Sequence, residues 1–435
     1  MELLIEHGTL LIVIATSLGF LMAWGIGAND VANAMSTSVG TKSLTVVQAL
    51  AIAAVFEFLG AYLAGGQVTN TIKEGIVDTE AFGDNGIDLT LGMISAMFAA
   101  GTWLILASIL GWPVSTTHTI IGAIIGFSLL SVGADAIHWG MLWGIFGSWI
   151  ITPVISGVIA YLLFVSVLRG IFRHFHPMKH AKRKAPLYIA LTVFVISSIT
   201  VSSGLQHIGF HDITTGTSFL ISGALALAAA AAGAVVIRRI PEKNPNSEKD
   251  GEKERKKGKS RNNYKQVEKI FSVLMIITAC AMAFAHGSND VANSIGPLSA
   301  VVSAVNHARD SSYDPSALEW WILPLGAVGI VIGLSTLGYK VMKTVGVKIT
   351  HLTPSRGFAA QLATAATVVI ASGTGLPIST TQTLVGAIIG IGLAHGIAAI
   401  NLRVISGIFA SWIITLPSGT ILSIIFFKIL QFFFS

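Results

Sequence analysis

Charge is what this sequence lacks. Only 11% of its 435 residues are Asp, Glu, Lys or Arg, against roughly 25% in an ordinary soluble domain. With 53% hydrophobic residues and a mean hydropathy of +0.75, the chain has lipid as its solvent. It contains one cysteine, Cys280, inside an apolar run. That excludes an intramolecular disulfide framework and a cysteine-rich metal site, and leaves Cys280 as a small packing residue. The first residues include Glu2 and Glu6 but no Lys or Arg, so the basic start of a secretory signal peptide is missing and the first apolar run is expected to be a true span. Basic residues are scarce within the apolar runs and concentrated in the loops beside them, so the net charge of +6 points to the membrane surface rather than to nucleic acid.

What is present is apolar sequence in repeated lengths. A hydrocarbon core about 30 Å thick needs about 20 apolar residues per helix. Such runs recur near 8–28, 46–66, 91–111, 113–132, 139–168, 187–207, 217–237, 270–286, 321–340, 357–374, 376–394 and 402–432. The pattern predicts an all-α polytopic membrane protein of about twelve transmembrane helices, since exposed strand edges have no partners in lipid. The segment from Arg169 to Lys184 holds six basic residues and no acid, and Arg238 to Lys269 holds twelve more, together 18 of the 27 in the chain. By the positive-inside rule both are cytoplasmic. The stretch from Pro241 to Asn263 is rich in Lys and Glu and poor in apolar residues, and reads as disordered. The expected organisation is a membrane repeat over 1–170, a basic loop over 171–186, two connecting helices over 187–237, a charged linker over 238–269 and a second repeat over 270–435.

The repeat is visible directly. GANDVANAMSTSVG from Gly27 returns as GSNDVANSIGPLSA from Gly287, WPVSTTHTIIGAIIG from Trp112 as LPISTTQTLVGAIIG from Leu376, and SWIIT from Ser148 again from Ser411. Three motifs in one order at near-constant spacing mark an internal duplication. The connection between the second and third runs carries Glu74, Asp78, Glu80, Asp84 and Asp88 with Lys73 alone, whereas its counterpart carries Lys340, Lys343, Lys348 and Arg356 and no acid. Equivalent loops thus favour opposite sides, which predicts inverted-topology repeats with both termini outside.

Two motifs bear chemistry. Asn29, Asp30 and Asn33 close the first apolar run, and Asn289, Asp290 and Asn293 hold the same places in the second copy. A carboxylate at membrane depth is costly unless paired or bound to an ion, and a carboxylate beside amide and backbone oxygens suits a hard cation such as sodium, or a proton. The plainer reading is a polar cap at the membrane surface; duplication favours the cation site. Gly25, Gly27 and Ser36 would let the backbone open nearby. In the second motif Pro113 and Pro377 precede Ser115, Thr116 and Thr117 and Ser379, Thr380 and Thr381. A proline-led helix start offers free N–H groups, hydroxyl donors and the positive end of the dipole, the makings of an anion site. Two such starts, as broken or re-entrant helices, would face one tetrahedral oxyanion. Neither hydroxyl motif contains Lys or Arg, so the anion's charge would be offset by mobile cations at Asp30 and Asp290. Glu57 is a lone acid inside the second run, with a functional and a structural role equally open. His118 has Gln382 as its counterpart, which argues against a Ser115/His118/Asp30 hydrolase because the second copy keeps the hydroxyls and loses the base. Trp149 and Trp412 in the third element read as interface anchors or packing residues.

The paired GANDVAN and GSNDVAN, the paired PVSTTH and PISTTQ and the charged central loop resemble the PiT family of inorganic phosphate transporters over essentially the whole chain. The resemblance implies twelve helices, inverted repeats and alternating access, with phosphate on the hydroxyl motifs and sodium ions or protons on the Asn-Asp motifs. The setting it implies is a bacterial inner membrane, and the partners are inorganic phosphate, a coupling cation, membrane lipid and, in a homodimer, a second copy. No cofactor beyond coupling sodium ions, no catalytic residue and no nucleic acid is expected. A sulfate or other oxyanion permease and a passive anion channel stay open as alternatives, because hydroxyls and N–H groups alone do not separate tetrahedral anions.

Overall fold

Within the described residues each apolar run folds mainly as helix, since only a helix satisfies each backbone N–H and C=O within its own segment when the surroundings are lipid. The computed structural model describes residues 2–83, 86–204, 214–241, 252–314, 318–342, 353–395 and 402–434. The first half contains α1 (Glu2–Gly40), α2 (Val46–Ala64), the short α3 (Gly66–Glu74), α4 (Gly86–Leu110), α5 (Thr116–Ser131) and α6 (Trp139–Val167). Helices α7 (Pro177–Ile199) and α8 (Thr215–Arg238) pack on each other as the connecting pair. The second half contains α9 (Glu252–Arg309), α10 (Ile322–Thr336), α11 (Pro354–Gly373), α12 (Thr380–His395) and α13 (Leu402–Phe434).

Among the described residues, eight helices are long and apolar enough to cross a membrane by length and composition, while α5, α10 and α12 are apolar but shorter. Helix α5 is the second arm of a hairpin. An antiparallel bridge joins Val77 to Ile137, with Asp78 N–H donating to Ala136 O at 2.8 Å and His138 N–H to Ile76 O at 3.0 Å. The start of α4 and the end of α5 therefore lie together, and the connection between the two helices forms the far tip. This is the re-entrant arrangement expected at the hydroxyl motif.

Two expectations need correction. The Asn-Asp motifs do not close a helix or sit at an opening in one: Asp30 lies inside the unbroken 39-residue α1, and Asp290 inside the 58-residue α9. Gly27 and Gly287 serve close packing instead. A Cβ on Gly27 would collide with the Ile330 carbonyl, and one on Gly287 with the Glu57 carbonyl, which is how small residues let membrane helices approach. The stretch expected to be disordered is helical from Glu252 onward, because Lys, Glu and Arg are good helix formers and extend a helix already nucleated in α9. The earlier part of that linker, Asp84 and residues 343–352, with Lys343 and Lys348, lie outside the described residues.

The packing repeats with the copies exchanged. Helix α1 packs on α10 as α9 packs on α2; α4 packs on α1 as α11 on α9; and α5 packs on α13 as α12 on α6. A duplicated sequence has become a structure in which each half is completed by the other.

Candidate functional site

The hairpin tips are built alike. Helix α4 ends at Gly111 (φ 68°) and α11 at Gly375 (φ 72°), left-handed positions where glycine carries no Cβ penalty. Trp112 N–H reaches back to Ala107 O at 2.8 Å and Leu376 N–H to Ala371 O at 3.0 Å, closing each helix in the manner of a Schellman turn. The chain then runs extended to Ser115, whose Oγ accepts from His118 N–H at 3.2 Å, and to Ser379, whose Oγ accepts from Gln382 N–H at 3.3 Å. These are N-caps. The helices that follow, α5 and α12, present Thr116 and Thr117 and Thr380 and Thr381 in their first turns.

Each Asn-Asp helix fixes the tip of its own copy and reaches the hydroxyls of the other. Asn29 donates to Trp112 O at 2.9 Å and Ser108 Oγ at 3.3 Å, and accepts from Val114 N–H at 3.3 Å. With its amide oriented to satisfy its neighbours, Asn289 accepts from Ser372 Oγ and donates to Ile378 O and Asp290 Oδ1, all at 3.1 Å. Asn33 donates across to Thr381 Oγ1 at 2.8 Å and Thr380 Oγ1 at 3.4 Å, while Asn293 donates across to Thr116 and Thr117, each at 3.3 Å. The tips also touch: Thr117 Oγ1 donates to Ile378 O at 2.9 Å and Thr381 Oγ1 to Val114 O at 3.4 Å. Thus the structure brings Asn29, Asp30, Asn33, Asn289, Asp290, Asn293 and the six hydroxyl residues into one cluster, none more than 4% exposed. Ser108 and Ser372 belong to it as well and escaped sequence reasoning, though their matched positions in the two copies are a signal.

The two carboxylates are not equivalent. Asp290 Oδ2 accepts from Thr380 Oγ1 at 2.9 Å and lies 2.9 Å from His286 Nε2. Asp30 Oδ1 accepts from Asn33 at 3.3 Å, and the buried Asp30 carboxylate lies beside the Thr116 hydroxyl. Glu57, a lone acid in the sequence, has its partner here: Oε1 is 3.3 Å from His286 Nδ1, both side chains fully buried. His286 was missed because the first copy has Ile26 in its place, so a search for repeated polar residues passes over it. One ligand-capable atom from each of Asp30, His286 and Asp290 falls within 4.8 Å of the others.

The hydrolase alternative has no assembled triad. Ser115 Oγ serves its own helix cap, and the His118 ring stacks on Trp149 with centroids 3.7 Å apart. Behind the hydroxyl motifs an apolar cavity of about 1000 Å³ is lined by α5, α6, α12 and α13, including His118, Trp149, Gln382 and Trp412. It has no acidic, Lys or Arg side chain and does not suit an anion. Trp149 and Trp412 are packing residues at its wall.

Comparison with known proteins follows the same lines. The description Phosphate transporter family matches residues 26–423. A Haemophilus influenzae protein described as a candidate phosphate permease is 52% identical over 436 residues, covering 100% of both chains. Inorganic phosphate transporter 2-1, chloroplastic, of Arabidopsis thaliana is 40% identical over 448 residues, covering 99% of this chain and 73% of that protein. A solved structure described as the sodium-dependent phosphate transporter aligns with a TM-score of 0.86 at 38% identity, covering 97% of this chain and 99% of the other.

Proposed function

Because this chain belongs to the phosphate transporter family, we propose that its transport of phosphate is symport with a cation, sodium in preference to a proton, through alternating access. It is a multi-pass membrane transporter and not an enzyme. Ser115, Thr116, Thr117, Ser379, Thr380 and Thr381 hold the phosphate, with the N-termini of α5 and α12 directed at its charge. Asp30 and Asp290 take the coupling cations. Asn33 and Asn293 bridge cation and anion sites, and Asn29 and Asn289 hold the tips in register.

The observation that carries this reading is the cross-copy bonding of Asn33 to Thr380 and Thr381 and of Asn293 to Thr116 and Thr117. It puts carboxylates and anion donors in one buried space. A phosphate charge and a carboxylate about 5 Å apart repel by about 3 kcal/mol at an effective dielectric of about 20, so phosphate enters only if a cation comes with it. Sodium is favoured because a carboxylate among amide and hydroxyl oxygens is hard-cation chemistry, and because a close structural relative is described as sodium-dependent. Inverted topology in a bacterial inner membrane, with both termini outside, fits the basic loops.

The test is phosphate uptake into proteoliposomes under an inward sodium gradient, a proton gradient or neither. The reading expects the sodium gradient to drive accumulation. Uptake indifferent to both gradients would establish a passive channel, and equal accumulation of sulfate a general oxyanion permease.

A further inference from the structure

We propose that Gln361 is the positioning residue for release of phosphate into the cytoplasm, and that Ser36 and Thr37 line the way out. This rests on the two-tip site and the inverted topology, and adds residues that neither assigns. Gln361, on α11, is fully buried and joins three helices. Its Nε2 donates to Ala34 O at 2.8 Å and Ser38 Oγ at 3.0 Å on α1, and its Oε1 accepts from Thr278 Oγ1 on α9 at 3.0 Å. Helices α1 and α9 carry Asp30 and Asp290, and α11 leads to the second tip, so one amide ties both aspartate helices to a hairpin. The matching places in the other half are Met97, Leu298 and Leu18. These come together as well: a Cβ on Gly19 would lie 3.3 Å from Leu298 and 3.4 Å from Met97. Packing alone therefore does not call for a polar trio, because apolar side chains fill the same place in the other half.

The place of this clasp supplies its role. The end of α1 and the start of α11 meet beside it, since a Cβ on Gly357 would lie 3.5 Å from Thr41, and this is the end that the basic residues place in the cytoplasm. Opening here parts α1 from α11 and breaks the clasp. Hydrogen bonds between neutral groups are traded for bonds to water at small net cost, whereas parting Met97 from Leu298 at the other end exposes apolar surface. The cytoplasmic end is thus closed by exchangeable bonds and the outer end by apolar contact. Ser36 and Thr37 follow Asn33 by three and four residues, which puts them one turn past it on its face of α1. Ser36 Oγ and Thr37 Oγ1 are buried with no hydrogen-bond partner among the described residues, although an unpaired buried hydroxyl is costly. Their counterparts are Gly296 and Pro297. Two hydroxyls left idle in the closed state, between Asn33 and the clasp, become donors for water and phosphate once the clasp parts.

Gln361→Met copies Met97 and leaves the remaining hydroxyls free to bond carbonyls of their own helices, as Thr278 already does with Met275 O at 3.2 Å. Gln361→Met/Ser38→Leu/Thr278→Leu copies the whole apolar trio should the single variant fail to fold. Each is compared with wild type for phosphate affinity by titration calorimetry, and in proteoliposomes for labelled phosphate exchange with equal phosphate and sodium on both sides. Exchange needs the cytoplasmic end to open but needs no gradient. It is expected to fall about tenfold while affinity stays within about twofold of wild type. A cysteine at Ser36, in a Cys280→Ala background, is expected to react with an impermeant maleimide at the cytoplasmic face of inside-out membranes, and about fivefold or more slowly when Gln361→Met is added. Unchanged exchange, a fall in affinity as large as the fall in exchange, or labelling indifferent to Gln361→Met would overturn the proposal. Labelling from the outer face alone would remove the inverted topology, and this proposal with it, while leaving the two-tip site to the affinity measurements.

Discussion

Thr381→Val keeps the shape of the side chain and deletes one hydroxyl, and the structure sets the size of the effect. Thr381 Oγ1 accepts from Asn33 at 2.8 Å and donates to Val114 O at 3.4 Å, in a site where the residue is 4% exposed and water has little room to substitute. A hydrogen bond to a charged group contributes about 1.5 to 3 kcal/mol, so losing this donor should weaken phosphate binding roughly 10- to 150-fold. Thr117→Val, its counterpart, should lose a similar amount. The control is Thr119→Val: Thr119 is just as buried, but its hydroxyl donates at 2.8 Å to Ser115 O within its own helix, so its effect on affinity should stay below about threefold. Binding is measured by titration calorimetry on purified protein in detergent, with thermal unfolding to show that each variant is folded. If Thr381→Val and Thr119→Val lose affinity equally, the Thr381 hydroxyl is not a phosphate ligand and the two-tip site is wrong.

Asp30→Asn and Asp290→Asn should each abolish gradient-driven uptake in proteoliposomes while leaving the protein inserted; full cation-dependent transport in both would refute the cation assignment. Gly27→Ala and Gly287→Ala should each lower stability by about 1 to 3 kcal/mol through overpacking against a carbonyl, whereas Gly140→Ala, where a Cβ meets nothing within 4 Å, should be neutral or slightly stabilising. Thermal unfolding separates them, and a neutral Gly27→Ala would contradict the close helix crossing. In a background of Cys280→Ala, a cysteine at Glu74 should react with an impermeant reagent in intact cells and one at Lys340 only after permeabilisation; matching labelling would contradict the inverted topology.

The elements legible in the sequence are those that obey local rules or repeat. Hydrophobic length located the helices, proline followed by three hydroxyls located the tips at Ser115 and Ser379, and duplication marked Asp30 and Asp290. The rest depends on contacts between distant segments. Nothing local shows that Asn33 meets Thr380 and Thr381, because those residues belong to opposite halves. Motif glycines that read as points of opening are crossing points, since the same absence of a Cβ serves both uses and only the packed neighbour distinguishes them. His286 was hidden for the opposite reason: its copy is Ile26, and its partner Glu57 lies on another helix.

The central claim is that one phosphate sits between the two hydroxyl motifs with cations at the adjoining aspartates. The most direct test is an experimental structure of the protein with phosphate and sodium. The account predicts a single tetrahedral density contacting hydroxyls from both the Ser115–Thr117 and Ser379–Thr381 segments. Phosphate bound to one segment only, or away from both, would contradict it.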